Sequence, residues 1–214
     1  MGGYARVVNL RFGKWERVLN LMIFFKSDLH LGHTNAIRHN SRPFSSLEEM
    51  NEGIIERFNA KVKPNHSVYI LGDVFWGTGL EANVVLRRLN GKKFLVKGNH
   101  DVKFLNAPEF DQSIFEWVQD IAYVKYKKKM FVLCHYPMFE WLGYYRGYIH
   151  LYGHLHNRYV RGEEKYNKSR LALLDGNAIN VGVDVNDYTP VLADEIIERV
   201  MQSSEQAGSG RKMP

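Results

Sequence analysis

The sequence predicts an α/β fold of two packed β-sheets flanked by helices, and three observations carry that prediction. Apolar, β-branched runs alternate with amphipathic helical segments in the first half of the chain. Strand-like segments dominate the second half. Short islands of His, Asp and Asn directly follow most of the apolar runs, as expected where buried strands end at a polar rim.

The first strand is predicted at residues 22–25, Met-Ile-Phe-Phe. Ser45-Ser46-Leu47-Glu48 has capping-box spacing, and Leu47, Met50, Ile54 and Phe58 then recur at helical period. A strand at 68–71, a helix over about 80–89 closed by Asn90-Gly91, and a strand at 94–96 follow. Further strands are expected at 121–126, 130–133, 149–152 and 179–185, with Gly182 permitting close backbone approach in the last. Thr189-Pro190 opens a final helix whose apolar face is Leu192, Ile196, Ile197, Val200 and Met201.

Five islands carry the chemistry: Asp28-Leu29-His30, Gly72-Asp73, Gly98-Asn99-His100-Asp101, Cys134-His135 and Gly153-His154-Leu155-His156. Carboxylates, imidazoles and an amide suit Mn, Fe, Zn or Co, whereas an all-thiolate set would favour structural zinc. Two such ions can acidify a bridging water and clamp both oxygens of an in-line displacement, which is phosphoester chemistry.

In this order the islands resemble the signature of the calcineurin-like metallophosphoesterase superfamily: D-x-H, G-D, G-N-H-[DE], a lone His, then G-H-x-H. The resemblance covers roughly residues 22–201 and is closest to small bacterial and phage members. It implies a four-layer αββα sandwich of two mixed sheets and a centre of two divalent ions, manganese first, with Fe, Zn, Ni or Co as alternatives. It also implies that Asp28, His30 and His156 hold one ion and Asn99, His135 and His154 the other, with Asp73 bridging. By the same resemblance, His100 stabilises the phosphoryl oxygens or protonates the leaving oxygen, and Asp101 orients its ring. Phe75-Trp76 after Asp73, and Gly-Asn-His-Asp in place of Gly-Asn-His-Glu, depart from the protein Ser/Thr phosphatases. The expected activity is therefore on phosphodiesters or nucleotides, with a DNA or RNA nuclease and a non-catalytic metal-binding scaffold as alternatives.

Substrate contacts are sought around the islands. His33, Asn35 and Arg42 follow the first one, and either face a phosphate or sugar or belong to a capped helix start in water. Tyr136, Phe139, Trp141, Tyr144, Tyr145 and Tyr148 with Arg146 either stack a nucleobase or form a packing or homodimer surface. His39 and His66 are expected to face solvent, His150 to lie in a strand, and Asp184 and Asp187 to serve structural or turn roles.

At 214 residues with 45% hydrophobic side chains, the chain can bury one substantial core. The net charge of +6 is concentrated at the ends. Residues 1–21 carry +3, from Arg6, Arg11, Lys14 and Arg17 against Glu16, and residues 203–214 carry +1, leaving +2 for the body. That balance suits a small phosphorylated substrate and supports nucleic acid only weakly. No run reaches the roughly 18 apolar residues of a membrane span. A single Cys134 excludes an internal disulfide framework, so a cytoplasmic location is the simplest expectation. Residues 1–21 read as an N-terminal extension ahead of a domain at 22–202, with Met22 as the candidate initiator, and 203–214 as a disordered tail.

Overall fold

The computed structural model describes residues 22–156, 174 and 176–209. The expected extension at 1–21 and the last five residues lie outside this range. Five parallel or antiparallel neighbours form the first sheet: β1 (Ile23–Lys26), β2 (Ser67–Leu71), β3 (Lys92–Val96), β4 (Trp117–Gln119) and β9 (Val191–Leu192), in the order β4-β3-β2-β1-β9. All pair parallel except β9, which runs antiparallel to β1. The second sheet is β5 (Ile121–Tyr126), β6 (Lys129–Cys134), β7 (Ile149–Tyr152) and β8 (Ala178–Asn180), in that order, with β5 antiparallel to β6 and the rest parallel. The protein is therefore an α/β sandwich of two mixed sheets flanked by helices.

Strand alternation sorts the core into two halves. Phe24, Val68, Ile70 and Leu95 face the helical layer, where Met50, Ile54, Ile55 and Phe58 of α2 (Leu47–Lys61), Ala82 and Leu86 of α3 (Gly79–Leu86), and Phe104 of α4 (Val102–Leu105) meet them. Ile23, Phe25, Leu71 and Val96 point the other way, onto Val124, Phe131, Leu133, Ile149 and Leu151 of the second sheet. The final helix, α5 (Ala193–Ser209), joins this inter-sheet half through Ile196 and Val200. On the far side of the second sheet, Trp141 tilts against His150 and donates from its indole to Tyr148 O at 3.0 Å.

Several boundaries differ from the sequence expectation for identifiable reasons. Ser46 caps α2, accepting from Glu49 N at 3.1 Å, so the capping pattern starts one residue later than read. Thr78 and Glu81 form a full capping box that starts α3. Leu192 pairs with Phe24 as a strand residue, and the last helix begins only at Ala193. The strand expected over 179–185 stops at Asn180, because Val183–Val185 turns into a 3-10 helix that carries Asp184. The last helix continues to Ser209, so residues 203–209 of the expected tail have helical backbone. His66 is buried, stacked on Phe24 with its Nδ1 accepting from Lys63 N, because it sits under the strand edge rather than in solvent. Among the described residues, no helix is long and apolar enough to cross a membrane.

Lys26 is fully buried at the end of β1 and donates to Thr189 O at 2.6 Å. Burial pulls its pKa down to about 7, against the opposing pull of Asp184 and Asp28. The unfolded lysine keeps its proton to about 10.4, so across this window the unfolded chain binds more protons and stability rises with pH. From pH 7 to 9.5 the metal-free protein is expected to gain roughly 2–3 kcal/mol relative to Lys26→Met. Urea unfolding at the two pH values measures this; parallel profiles for both proteins would refute it.

Candidate metal centre

The parallel register brings the islands to one rim. Lys26 pairs with Ile70, Leu71 with Val96, Leu133 with Leu151 and Tyr152 with Asn180. The residues just past these pairs are therefore level with one another at the carboxyl ends of six strands. The loops after β1 and β2 continue side by side, with Asp28 N donating to Gly72 O at 3.0 Å and His30 N to Asp73 O at 2.9 Å. Gly153 N likewise donates to His135 O at 2.9 Å, joining the islands of the second sheet. The two sheets meet where His154 N donates to both Asp28 carboxylate oxygens at 3.0 and 3.1 Å.

This convergence strains the backbone. Asp28, His30, Asp73 and His154 all adopt positive φ, between 50° and 65°. Such left-handed conformations cost a non-glycine residue on the order of 1 kcal/mol each and cluster at functional sites. Two glycines make the close approach feasible. At Gly72, with φ +80°, a Cβ would lie 2.6 Å from Gly98 Cα and from His135 Nδ1. At Gly153 it would collide with Ser27 Oγ and Asp28 Oδ2.

Two donor groups result: Asp28, His30 and His156, and Asp73, His135 and His154, each with ligand atoms within 4.8 Å of one another. Asp73 Oδ2 stands between them, 3.5 Å from His135 Nε2 and 3.7 Å from His30 Nε2. His156 Nε2 lies 3.9 Å from Asp28 Oδ1, and Asn99 Oδ1 3.2 Å from His135 Nε2. Donors sharing one ion with bonds near 2.1 Å sit roughly 3.0–3.5 Å apart, so small side-chain shifts suffice. Among the described residues the buried His30 Nε2 has no hydrogen-bond partner, a cost that an ion would remove. The donor set thus fits divalent metal ions of the borderline kind.

The far sides of the rings are also anchored. His135 Nδ1 lies 2.8 Å from Leu71 O, and His156 Nδ1 lies 2.6 Å from Asp184 Oδ2, which fixes which nitrogen faces the centre. Asp184 is in turn gripped by Arg42, whose Nε and Nη2 lie 3.0 and 3.2 Å from its oxygens. The same guanidinium donates to Leu29 O at 2.9 Å and Asp28 O at 2.7 Å. Arg42 is buried and fully engaged behind the first island; its expected substrate contact is therefore corrected to a structural one.

Electrostatics reflect the crowding. Burial raises the Asp28 pKa against the pull of His156 and His135. Burial also pushes Asp73 upward, but hydrogen bonding and charge from His135, with His30 and the His100 N–H, hold its carboxyl well below the usual range. Burial drives His30 well below the ordinary imidazole value. His135 moves oppositely, to about 9, because Asp73 and Asp28 outweigh its desolvation. Metal ligation requires neutral imidazole, so binding here is linked to proton release.

The catalytic candidates divide. His100 is partly exposed, with Nε2 3.9 Å from Asp73 Oδ2, and its ring stands edge-on to Trp76 and His30. Asp101 is fully buried and accepts from Gly98 N at 2.7 Å, Val74 N at 2.8 Å and Asp73 N at 3.0 Å. Its oxygens thus hold the loop backbones instead of the His100 ring, which corrects the expected role. His33 precedes α1 (Thr34–His39) without capping it; its ring stacks on Trp76 at 4.5 Å and lies 5.4 Å from His30. Asn35 and Arg146 are exposed, and among the described residues neither makes a polar side-chain contact with this cluster.

With the geometry in place, the family model of calcineurin-like phosphoesterases matches residues 21–174. The chain belongs to the calcineurin-like phosphoesterase family. This phosphoesterase is similar to an uncharacterized protein of Methanocaldococcus jannaschii, MJ1445, at 30% identity over 83% of this chain and 90% of that one. It also resembles the gene 66 protein of Mycobacterium phage D29, at 26% identity over 86% of this chain and 98% of the relative. Among solved structures it resembles a protein of unknown function, AQ665 from Aquifex aeolicus, with a TM-score of 0.63 and 27% identity over 84% of this chain and 99% of that one.

Sequence reasoning did not place Asp184, Trp76 or Tyr136 beside this cluster, although it gave Asp184 a structural role and counted Tyr136 among the aromatic candidates. The Tyr136 hydroxyl lies 3.5 Å from Asn99 Oδ1, with its ring edge-on to His135 and His154. Asp184 left a readable signal: an acid among Val181, Val183 and Val185 implies a buried, paired charge.

Proposed function

We propose that this protein hydrolyses phosphodiesters or nucleotides at a dinuclear centre, manganese being the first metal to test. The observation that supports it most is Asp73, whose one carboxylate oxygen is shared between two imidazole-carboxylate groups beside the accessible His100. In this reading Asp28, His30 and His156 would hold one ion, Asn99, His135 and His154 the other, and Asp73 would be shared between them. When bound, such ions would supply an acidified water and neutralise phosphoryl charge. His100 hydrogen-bonds a phosphoryl oxygen and passes its proton to the leaving oxygen as that P–O bond breaks and the water oxygen joins phosphorus. Asp184 and Leu71 O hold the His156 and His135 rings in the tautomer that presents Nε2.

The diester reading rests on the departures from the protein Ser/Thr phosphatases, Phe75-Trp76 after Asp73 and Asp101 in the last place of the Gly-Asn-His-Asp island. Chelator-stripped protein reloaded with Mn is expected to turn over bis-p-nitrophenyl phosphate with a higher kcat/KM than p-nitrophenyl phosphate. His100→Ala is expected to lower kcat on the diester at least about tenfold with metal content unchanged. Preference for the monoester would overturn the diester reading, and unaltered turnover in His100→Ala would remove the proposed role of that ring.

A further inference from the structure

A cavity of about 320 Å³ opens beside His100 and Asn99, walled by Phe75, Trp76, Val102 and Lys103. Its size falls at the small end of ligand pockets. Two of its apolar walls reach the surface: Trp76 is 43% exposed and Val102 53%. Neither is needed to close the core, whose helical half is already filled by Phe75, Phe104 and Phe110. The indole is held in place, since one face stacks on His33 with only 12° between the planes. Gly32 lets the two loops lie this close: a Cβ there would collide with Trp76 O and lie 3.1 Å from the Phe75 ring, and Trp76 N donates to Leu31 O at 2.8 Å. The site loop after β1 therefore fixes the tryptophan that follows the bridging Asp73.

We propose that this cavity binds the nucleobase of a nucleotide ester whose scissile phosphate lies at the metal centre, with Trp76 as the stacking platform. The proposal rests on reading the metal centre as the phosphate site. Because His100 belongs both to the cavity wall and to the centre, the occupant is the group attached to the oxygen that His100 protonates, so the nucleoside is the leaving alcohol. A flat, rigid indole with an adjacent aliphatic wall matches the π-face of a base, and stacking accepts any base. Lys103 gives the rim a positive charge, which suits a phosphate-bearing ligand.

The test uses Mn-reloaded full-length protein and calorimetric titration with adenosine 5′-monophosphate and ribose 5-phosphate, which share the phosphate and differ by the base. Wild type is expected to bind the nucleotide at least about tenfold more tightly. Trp76→Leu should reduce that ratio to below about threefold. Val102→Trp, which fills the cavity from an exposed position, should do the same without removing the indole that packs on His33. Equal affinities in wild type, or a ratio untouched by both variants, would overturn the proposal. Diester hydrolysis measured on the same samples separates the two readings. Turnover without base preference refutes the base pocket alone. Base preference without turnover supports the pocket and refutes the hydrolase reading on which the leaving-group assignment depends.

Discussion

Asp73→Asn is expected to lower turnover of an activated diester by at least about 10³-fold, a loss of about 4 kcal/mol of transition-state stabilisation. The carboxylate has no redundant atom. Oδ1 accepts from His100 N at 2.9 Å, while Oδ2 faces His135 at 3.5 Å and His30 at 3.7 Å. An amide can satisfy only one side. With its oxygen towards the two imidazoles it turns an NH2 onto the His100 N–H, and with the oxygen towards His100 it presents a donor where two ions need a shared anion. The variant should also retain less than two equivalents of metal after desalting, measured by inductively coupled plasma mass spectrometry. Two bound ions with activity within tenfold of wild type would show that Asp73 does not bridge.

Arg42→Ala should destabilise the fold by roughly 3–5 kcal/mol, the range for breaking a buried ion pair. In a domain of this size that lowers Tm by on the order of 10 °C. Removing the guanidinium strips Asp184 of its charge partner and leaves Asp28 O and Leu29 O without a donor inside the core. The effect reaches the site, because Asp184 orients His156 and the Asp28 peptide carries a candidate ligand side chain. Thermal unfolding with and without metal separates this from a substrate role: an unchanged Tm with a raised KM would restore Arg42 to the substrate side.

The ordered islands were legible because each chemistry-bearing residue lies within a few positions of a recognisable strand, and parallel pairing levels the strand ends. Asp28, His30, Asp73, Asn99, His135, His154 and His156 come together as neighbours for that reason. The supporting shell was not legible. Asp184 meets Arg42 across 142 residues and His156 across 28, and no local pattern encodes such partners. Asp101 illustrates the same limit. Its neighbour in sequence is His100, yet its carboxylate reaches backbone N–H groups of Asp73 and Val74, because α4 turns it beneath the loop. β9 was hidden by its length: two residues are too few for a period, and only the edge of β1 makes them a strand.

That short pairing has a consequence for how the protein comes into being. Until residues 191–192 leave the ribosome, β1 presents one edge of the first sheet unpaired, a surface that invites association with other chains. His154, His156 and Asp184 are also synthesised in the last third of the chain. A nascent or truncated polypeptide can therefore assemble β1 to β4 and their helices while possessing only part of the donor set. The candidate donor set is complete at His156, whereas the edge of β1 closes only with residues 191–192, so the exposed edge outlasts synthesis of the site residues themselves.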